Sequence, residues 1–379
     1  MKSEISVLHW APQSGSPTGT GKAAEDWIRA SASEGVRVRV ITRWEDPESE
    51  EISGLERVVV SGGIFRMLAS LRKELPTCQI IHLHGAFNPV LSLVLLLLCF
   101  YKICRPKNGL KIILTPHGAL SNFVFSKQRL KKLLYWYCLD SMLMKSVDIF
   151  ICNTPIESAE IRQRLKSSEC RTVPLVVRGQ SRVISKNPEP VAIETPTMVT
   201  VGRYDIHTKG LDVLIRAIRE LNLEGFEIRL KCVGYDRDGG VANLEKFVAG
   251  EDATQFVECC GPKYGEEKLA IVNSAQIYCL PSRYESFSYS LMEGLGSGLA
   301  VLVGKGACVT SYLSEEMCQV LLVSPKTESW KLAIKDTLDN RSKNQEISRN
   351  ANSLFLEIGS PESIGRQLSG IYDEAKFNA

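Results

Sequence analysis

The stretch Gln276-Ile277-Tyr278-Cys279-Leu280-Pro281-Ser282-Arg283-Tyr284-Glu285-Ser286-Phe287-Ser288-Tyr289-Ser290-Leu291-Met292-Glu293-Gly294 carries most of the fold information in this chain. It opens on a short apolar run, as expected of a strand buried on both faces. Pro281 ends the run, a polar loop follows, and a helix is expected to begin near Ser288. Glu285 then lies in the loop and Glu293 about a turn inside the helix. A loop entering a helix offers backbone N–H groups and a positive dipole end, which together favour an anion. A carboxylate beside such a site can accept both hydroxyls of a ribose. Glu293 is placed for that role, and Glu285 for hydroxyls of a second group further out. Taken singly, each Glu reads more simply as a solvated surface residue.

Outward from this stretch, short apolar runs alternate with helical patterns along nearly the whole chain. They include residues 5–10, 36–42, 80–84, 111–115, 147–152 and 172–177 in the first half, and 198–201, 228–233, 276–280, 300–303 and 319–323 in the second. Leu211, Leu214, Ile215, Ile218 and Leu221 follow a helical period. Such alternation argues for βαβ units and parallel sheets. The chain has 379 residues, more than one hydrophobic core usually supports. Residues 179–197 hold three prolines and little pattern, which marks the best boundary. The expectation is therefore an α/β protein of two doubly wound, Rossmann-like domains facing a central cleft. They would span 1–180 and 190–355, with a final helix over 356–379 packing back toward the first domain.

A second constellation is Thr197-Met198-Val199-Thr200-Val201-Gly202-Arg203-Tyr204-Asp205-Ile206-His207-Thr208-Lys209-Gly210-Leu211-Asp212. A strand ends at Gly202, and Arg203 and Lys209 flank the loop that enters the next helix. Arg supplies a planar fork and Lys a point charge, a pair able to clamp a diphosphate. When a sugar leaves a nucleotide, negative charge builds on the leaving group, and fixed cations can stabilise it in place of Mg²⁺. By themselves the two cations could be ordinary surface charges. In order with the Glu pair downstream, they read as a site.

This combination resembles the retaining glycosyltransferases of family 4, which have the GT-B fold. The family carries a Gly-Arg…Lys-Gly loop and a Glu-x7-Glu element, and Glu285 to Glu293 has that spacing. The resemblance implies that Arg203 and Lys209 bind the donor diphosphate, Glu285 the donor sugar and Glu293 the ribose. It implies also that Ser286, Phe287, Ser288 and Tyr289 line the donor. Ser286 replaces a Gly of the family pattern and Tyr289 a smaller residue, which bears on the identity of the sugar. The Arg-to-Lys loop is one residue longer than the common form.

In the first half, Gly15, Gly19 and Gly21 follow the first strand. The spacing fails the P-loop test, because Ala23 stands where Ser or Thr would bind Mg²⁺. The resemblance implies a Gly-rich loop facing the cleft, with Gly15 and Gly19 against substrate; a flexible turn is the alternative. His84-Gly85 and His117-Gly118 each end an apolar run. The resemblance implies His117 near the donor sugar or acceptor, against a histidine hydrogen-bonded at the sheet top.

Charge is uneven: residues 1–180 carry 24 Lys and Arg against 16 Asp and Glu, the remainder 22 against 27. Between Glu74 and Asp140 there are eight basic residues and no acidic one. Residues 127–144 read as a cationic amphipathic helix whose apolar face fits packing on its own domain and whose surplus of cations suits an anionic membrane or a lipid-diphosphate acceptor. The most apolar run, residues 90–101, is too short for a spanning helix and reads as buried. The N-terminus does not read as a signal peptide. Twelve scattered cysteines without a Cys-x-x-Cys pair fit buried free thiols in a cytoplasmic protein.

The resemblance implies retaining sugar transfer from a nucleotide sugar to a hydroxyl of a glycan or polyprenyl-diphosphate-linked glycan, in surface polysaccharide biosynthesis. No cofactor or metal, and no nucleic-acid partner, is expected. The alternatives are a nucleotide-sugar epimerase and a non-catalytic nucleotide-sugar-binding protein of the same fold.

Overall fold

The structure is a computed structural model that describes residues 5–16, 18–45, 52–86, 88–106, 109–126, 141–166, 168–177, 195–235 and 239–377. The chain divides into two compact units, Met1–Arg178 with Glu357–Ala379, and Gly179–Leu356.

The first unit holds strands β1 Ser6–Trp10, β2 Arg37–Thr42, β3 Leu55–Val59, β4 Ile80–His84, β5 Lys111–Thr115, β6 Ile149–Cys152 and β7 Glu169–Thr172. All pair in parallel in the order β3-β2-β1-β4-β5-β6-β7. Its helices are α1 Gly19–Ser33, α2 Ile64–Glu74, α3 Pro89–Cys104, α4 Asn122–Ser126, α5 Ser141–Met144 and α6 Pro155–Arg164. The second unit holds β8 Thr197–Val201, β9 Arg229–Val233, β10 Val257–Gly261, β11 Ile277–Leu280, β12 Ala300–Gly304 and β13 Leu322–Val323. Its order is β10-β9-β8-β11-β12-β13, again parallel. Its helices are α7 Leu211–Leu223, α8 Gly240–Gly250, α9 Gly265–Asn273, α10 Tyr289–Gly296, α11 Glu315–Leu321, α12 Thr327–Asp339 and α13 Arg341–Ile358. The last helix, α14 Pro361–Phe377, belongs to the first unit and packs along α1.

Each strand order reverses direction once, between β1 and β4 in one unit and between β8 and β11 in the other. At such a switch point the helices leave on opposite faces and open a crevice at the carboxyl ends of the strands. The strands are continuous apolar runs because both faces are covered: Ile112, Ile113 and Leu114 of β5 are fully buried, as are Ile277, Tyr278 and Cys279 of β11. Each such aliphatic side chain contributes ~1.5–3 kcal/mol. Helix α7 buries Leu211, Leu214, Ile215, Ile218 and Leu221, the residues of the sequence period.

Close packing explains two glycines. Gly365 of α14 lets the helix approach α1, since a Cβ there would lie 2.3 Å from the Ala30 carbonyl oxygen. Gly210 caps α7 at φ +67°, where a Cβ would lie 2.0 Å from the Pro281 carbonyl oxygen.

Three readings of the sequence change. Residues 172–177 are strand only at Thr172, because β7 runs earlier, over Glu169–Thr172. Residues 319–321 belong to α11, with a strand of two residues after it, because Ser314 starts a helix there by accepting from Met317 N–H. Residues 90–101, read as buried, lie in α3 with only one face inside: Leu91, Val94, Leu95 and Leu98 are buried, Leu96 and Phe100 exposed. The described cysteines are free, six of them buried and Cys104 exposed. Most of the cationic segment 127–144 lies outside the described residues, as do residues 178–194.

Gly210→Ala is expected to lower stability by about 2–4 kcal/mol, from left-handed strain plus overpacking against Pro281. Urea unfolding measures it.

Candidate active site

In the second unit, β8 and β11 are paired neighbours, so the loop 202–210 and the loop 281–288 emerge side by side at the switch point. Four contacts stitch these loops together. Arg283 donates both guanidinium ends to Asp212, at 2.6 and 2.8 Å, and one of them also to the His207 carbonyl at 2.6 Å. Its backbone N–H donates to the Thr208 carbonyl at 2.9 Å. The backbone of Glu285 is held from the other side: its N–H donates to Gly306 O, and its carbonyl accepts from Cys308 N–H at 2.7 Å. Ser288 takes φ +99° and caps α10 by accepting from Leu291 N–H at 3.3 Å. A non-glycine residue held there is strained, which the surrounding contacts must over-determine. Buried Phe287 supplies one, edge-on to Phe355.

These constraints fix the functional side chains. Lys209 donates to Glu285 Oε2 in a tight ion pair, and Ser282 Oγ lies 3.5 Å from the same oxygen. Arg203 meets Asp205 at 3.2 Å, while its Nε is buried without a partner. One pocket is lined by Gly202, Arg203, Tyr204, Lys209, Pro281 and Ser282, among others. Glu293 accepts from Lys268 of α9 at 2.6 Å, and its second oxygen is buried without a partner. Leaving a buried polar atom unpaired costs about 1–3 kcal/mol. Tyr278 is fully buried; burial pushes the pKa of its hydroxyl well up, and the charges of Glu293 and Glu285 add to the rise. The structure thus sets Arg203 and Lys209 on one pocket and joins Glu285 to it through the ion pair with Lys209. Glu293 stands on α10 with a lysine of its own. Asp212, Lys268 and Tyr278 were not singled out from sequence. Lys268 sits on a helix with no motif spacing to reveal it.

Two sequence-predicted sites fall in the first unit. The glycine-rich loop leads into α1, where Thr18 caps the helix by accepting from Gly21 N–H at 3.1 Å. Gly15 takes φ +86°, and Gly19 has open space around it. His117, at φ +52° in the turn after β5, ends an array of four histidines. His9 Nδ1 lies 3.0 Å from His84 Nε2, and His84 Nδ1 3.1 Å from His117 Nε2. His82 meets the Tyr372 hydroxyl of α14 and the Thr115 hydroxyl, each at 2.8 Å.

Burial lowers the pKa of His9 to about 3. It lowers that of His117 to about 4, partly offset by a hydrogen bond to Asn153. His82 and His84 are pushed well down by burial and by their neighbouring imidazoles. A neutral imidazole donates at one nitrogen and accepts at the other, so the chain His9–His84–His117 has one direction throughout. Reversing one bond reverses both. His9, His82 and His84 also have nitrogens within 4.8 Å of one another, a spacing a metal ion could use. Hydrogen bonding accounts for it: both His82 nitrogens already meet hydroxyls. Nearby, burial pushes the Glu157 carboxyl up to about 7, against N–H groups donated by Asn153 and Gly118.

Two family models cover most of the chain between them. "Glycosyltransferase Family 4" matches residues 17–178 and "Glycosyl transferases group 1" matches residues 183–354. The chain belongs to the GT-B glycosyltransferases of family-4 type. A D-inositol 3-phosphate glycosyltransferase of Corynebacterium aurimucosum is 24% identical over 96% of this chain and 93% of its own. An MMP alpha-(1->4)-mannosyltransferase of Mycolicibacterium hassiacum is 22% identical over 47% of this chain, spanning 43% of that relative. Among solved structures, Anabaena HepE in complex with UDP-glucose superposes with a TM-score of 0.70 at 13% identity, over 98% of this chain and all of that one. The glycosyltransferase is thus an enzyme whose two parallel sheets match the GT-B architecture.

The histidine array predicts acid lability. Each imidazole binds its proton more weakly folded than unfolded, so the unfolded chain takes up more protons below about pH 6.5 and stability falls as pH falls. Glu157, raised on folding, opposes this with a single proton. His9→Gln is expected to flatten the slope of stability between pH 6 and pH 4 by about one proton, ~1.4 kcal/mol per pH unit. Urea unfolding across that range measures the slope.

Proposed function

We propose that this glycosyltransferase transfers a sugar, with retention and without a metal, from a nucleotide-diphosphate sugar to a hydroxyl of a glycan or lipid-linked glycan. The observation that carries this reading is the meeting of Lys209 and Glu285 at the β8/β11 switch point, with Arg203 lining the same pocket. Arg203 and Lys209 would hold the diphosphate, Glu285 the sugar hydroxyls and Glu293 the ribose. Arg203 Nε and Glu293 Oε2, buried and unpartnered, are groups that a bound diphosphate and ribose would satisfy. The complex of HepE with UDP-glucose and the glycosyltransferase names of both relatives support a nucleotide-sugar donor.

In the proposed reaction the bond from the anomeric carbon to the diphosphate breaks and a bond to the acceptor oxygen forms on the same face. The acceptor proton passes to the departing diphosphate oxygen. The two cations stabilise the charge that grows on the leaving group, the part that Mg²⁺ plays elsewhere. Surface polysaccharide biosynthesis at the cytoplasmic face of a membrane is the proposed setting, the biosynthetic role by analogy with the family and the membrane contact from the cationic first half of the chain. No described helix is long and apolar enough to cross a membrane.

Arg203→Ala and Glu285→Ala are each expected to lower kcat by about 10²–10³-fold, the loss typical of one preorganised electrostatic contact. Steady-state kinetics with a panel of nucleotide sugars, beside circular dichroism for folding, decides this. Full activity of both variants refutes the assignment. Activity is expected to survive EDTA, and donor incubated without acceptor is expected to yield no epimer.

A further inference from the structure

Helix α3 is apolar on every side, and such a helix belongs inside a protein or a membrane. Its inner face, Leu91, Val94, Leu95 and Leu98, packs into the core of the first unit. Its outer face repeats the pattern two residues on. Leu93, Leu96, Leu97, Phe100 and Ile103 follow one another at helical spacing and are 38%, 49%, 39%, 67% and 76% exposed. A continuous stripe of five large aliphatic and aromatic side chains in water is costly and marks an interaction surface.

Charge selects the partner. The helix lies within the stretch between Glu74 and Asp140 that holds eight basic residues and no acidic one. Arg105 stands at its C-terminal end over the Tyr101 ring, beside Lys102, which is paired with Asp148 at 3.0 Å. The Lys- and Arg-bearing segment 127–140 leads directly into α5, which packs against α3 and carries exposed Met142. Apolar side chains set in a stretch whose formal charges are all positive suit an anionic lipid surface. They do not suit a second copy of the same chain, whose matching face would bring like charges together. The helix has 16 residues, about 24 Å at 1.5 Å per residue, too short to span a hydrocarbon core.

We infer that the outer face of α3 is a membrane-docking surface, its stripe of Leu93, Leu96, Leu97, Phe100 and Ile103 entering the interface of an anionic bilayer with the helix parallel to it. This rests on the membrane setting proposed above and names the surface that makes the contact.

Vesicle flotation of the full chain tests it, with phosphatidylglycerol-containing vesicles against pure phosphatidylcholine at low and high salt. The expected result is binding to the anionic vesicles that weakens with salt. Phe100→Ser together with Ile103→Ser is expected to lower the partition coefficient at least about tenfold, and Leu96→Ser alone severalfold. Both changes are on exposed positions, and thermal melts confirm that the fold persists. Absence of binding at low salt overturns the inference. So does binding that all three substitutions leave unchanged, which would move the contact elsewhere. A dimer in light scattering that the substitutions disperse, without vesicle binding, also overturns it in favour of a second copy. Thermal shift with the nucleotide-sugar panel, run on the same preparations, reports the donor site separately. Failure of one reading is thereby distinguished from failure of the other.

Discussion

The pairing of β8 with β11 is the contact on which the candidate active site depends. The chain leaves β8 in one direction to build β9 and β10, then returns to lay β11 against the other edge of β8. Right-handed crossovers send the two connecting helices to opposite faces, so their loops part and leave a crevice between them. Arg203 and Lys209 come from one side of that crevice and Glu285 from the other. Close pairing requires that nothing larger than hydrogen stand at Gly210, where the backbone of one loop runs against Pro281 of the other.

Within the crevice, opposite charges neutralise one another. Lys209 lies on Glu285, Lys268 on Glu293 and Arg203 on Asp205. Arg283 and Asp212 form a different kind of pair, a two-pronged fork that ties the loops and holds their shape. The first three pairs are each partly open to solvent and involve single contacts, so a ligand bearing phosphates and hydroxyls can exchange for them at modest cost. Arg203 Nε and Glu293 Oε2 remain unpaired, which is how a site built for a polar ligand differs from a finished core.

The first unit handles buried polarity by another route. Its four histidines sit on or just after the neighbouring strands β1, β4 and β5 and stay neutral because burial penalises the imidazolium. They satisfy one another and the hydroxyls of Thr115 and Tyr372. Tyr372 arrives from the last helix, so the end of the chain completes a network begun at its first strand. His117 closes that network and is partly committed to it through its bond to His84.

The sequence by itself determined the elements and their kind. Continuous apolar runs and helical repeats are local properties, and short runs of Val, Ile and Leu between turn signals write most of the parallel strands. Leu211 to Leu221 and the turn at Pro281 could therefore be read without a partner. The Glu285-to-Glu293 spacing was legible for the same reason, since eight residues across one loop and one helix start are fixed by local geometry. Only the tertiary structure decided what lies beside what. The Lys268–Glu293 pair, the Arg283–Asp212 fork and the gathering of His9, His82, His84 and His117 join residues far apart in the chain, and nothing in local pattern encodes strand order. The exposure of α3 was hidden by the same limit: an apolar helix looks alike whether one face or all of it is covered, and only its neighbours decide which.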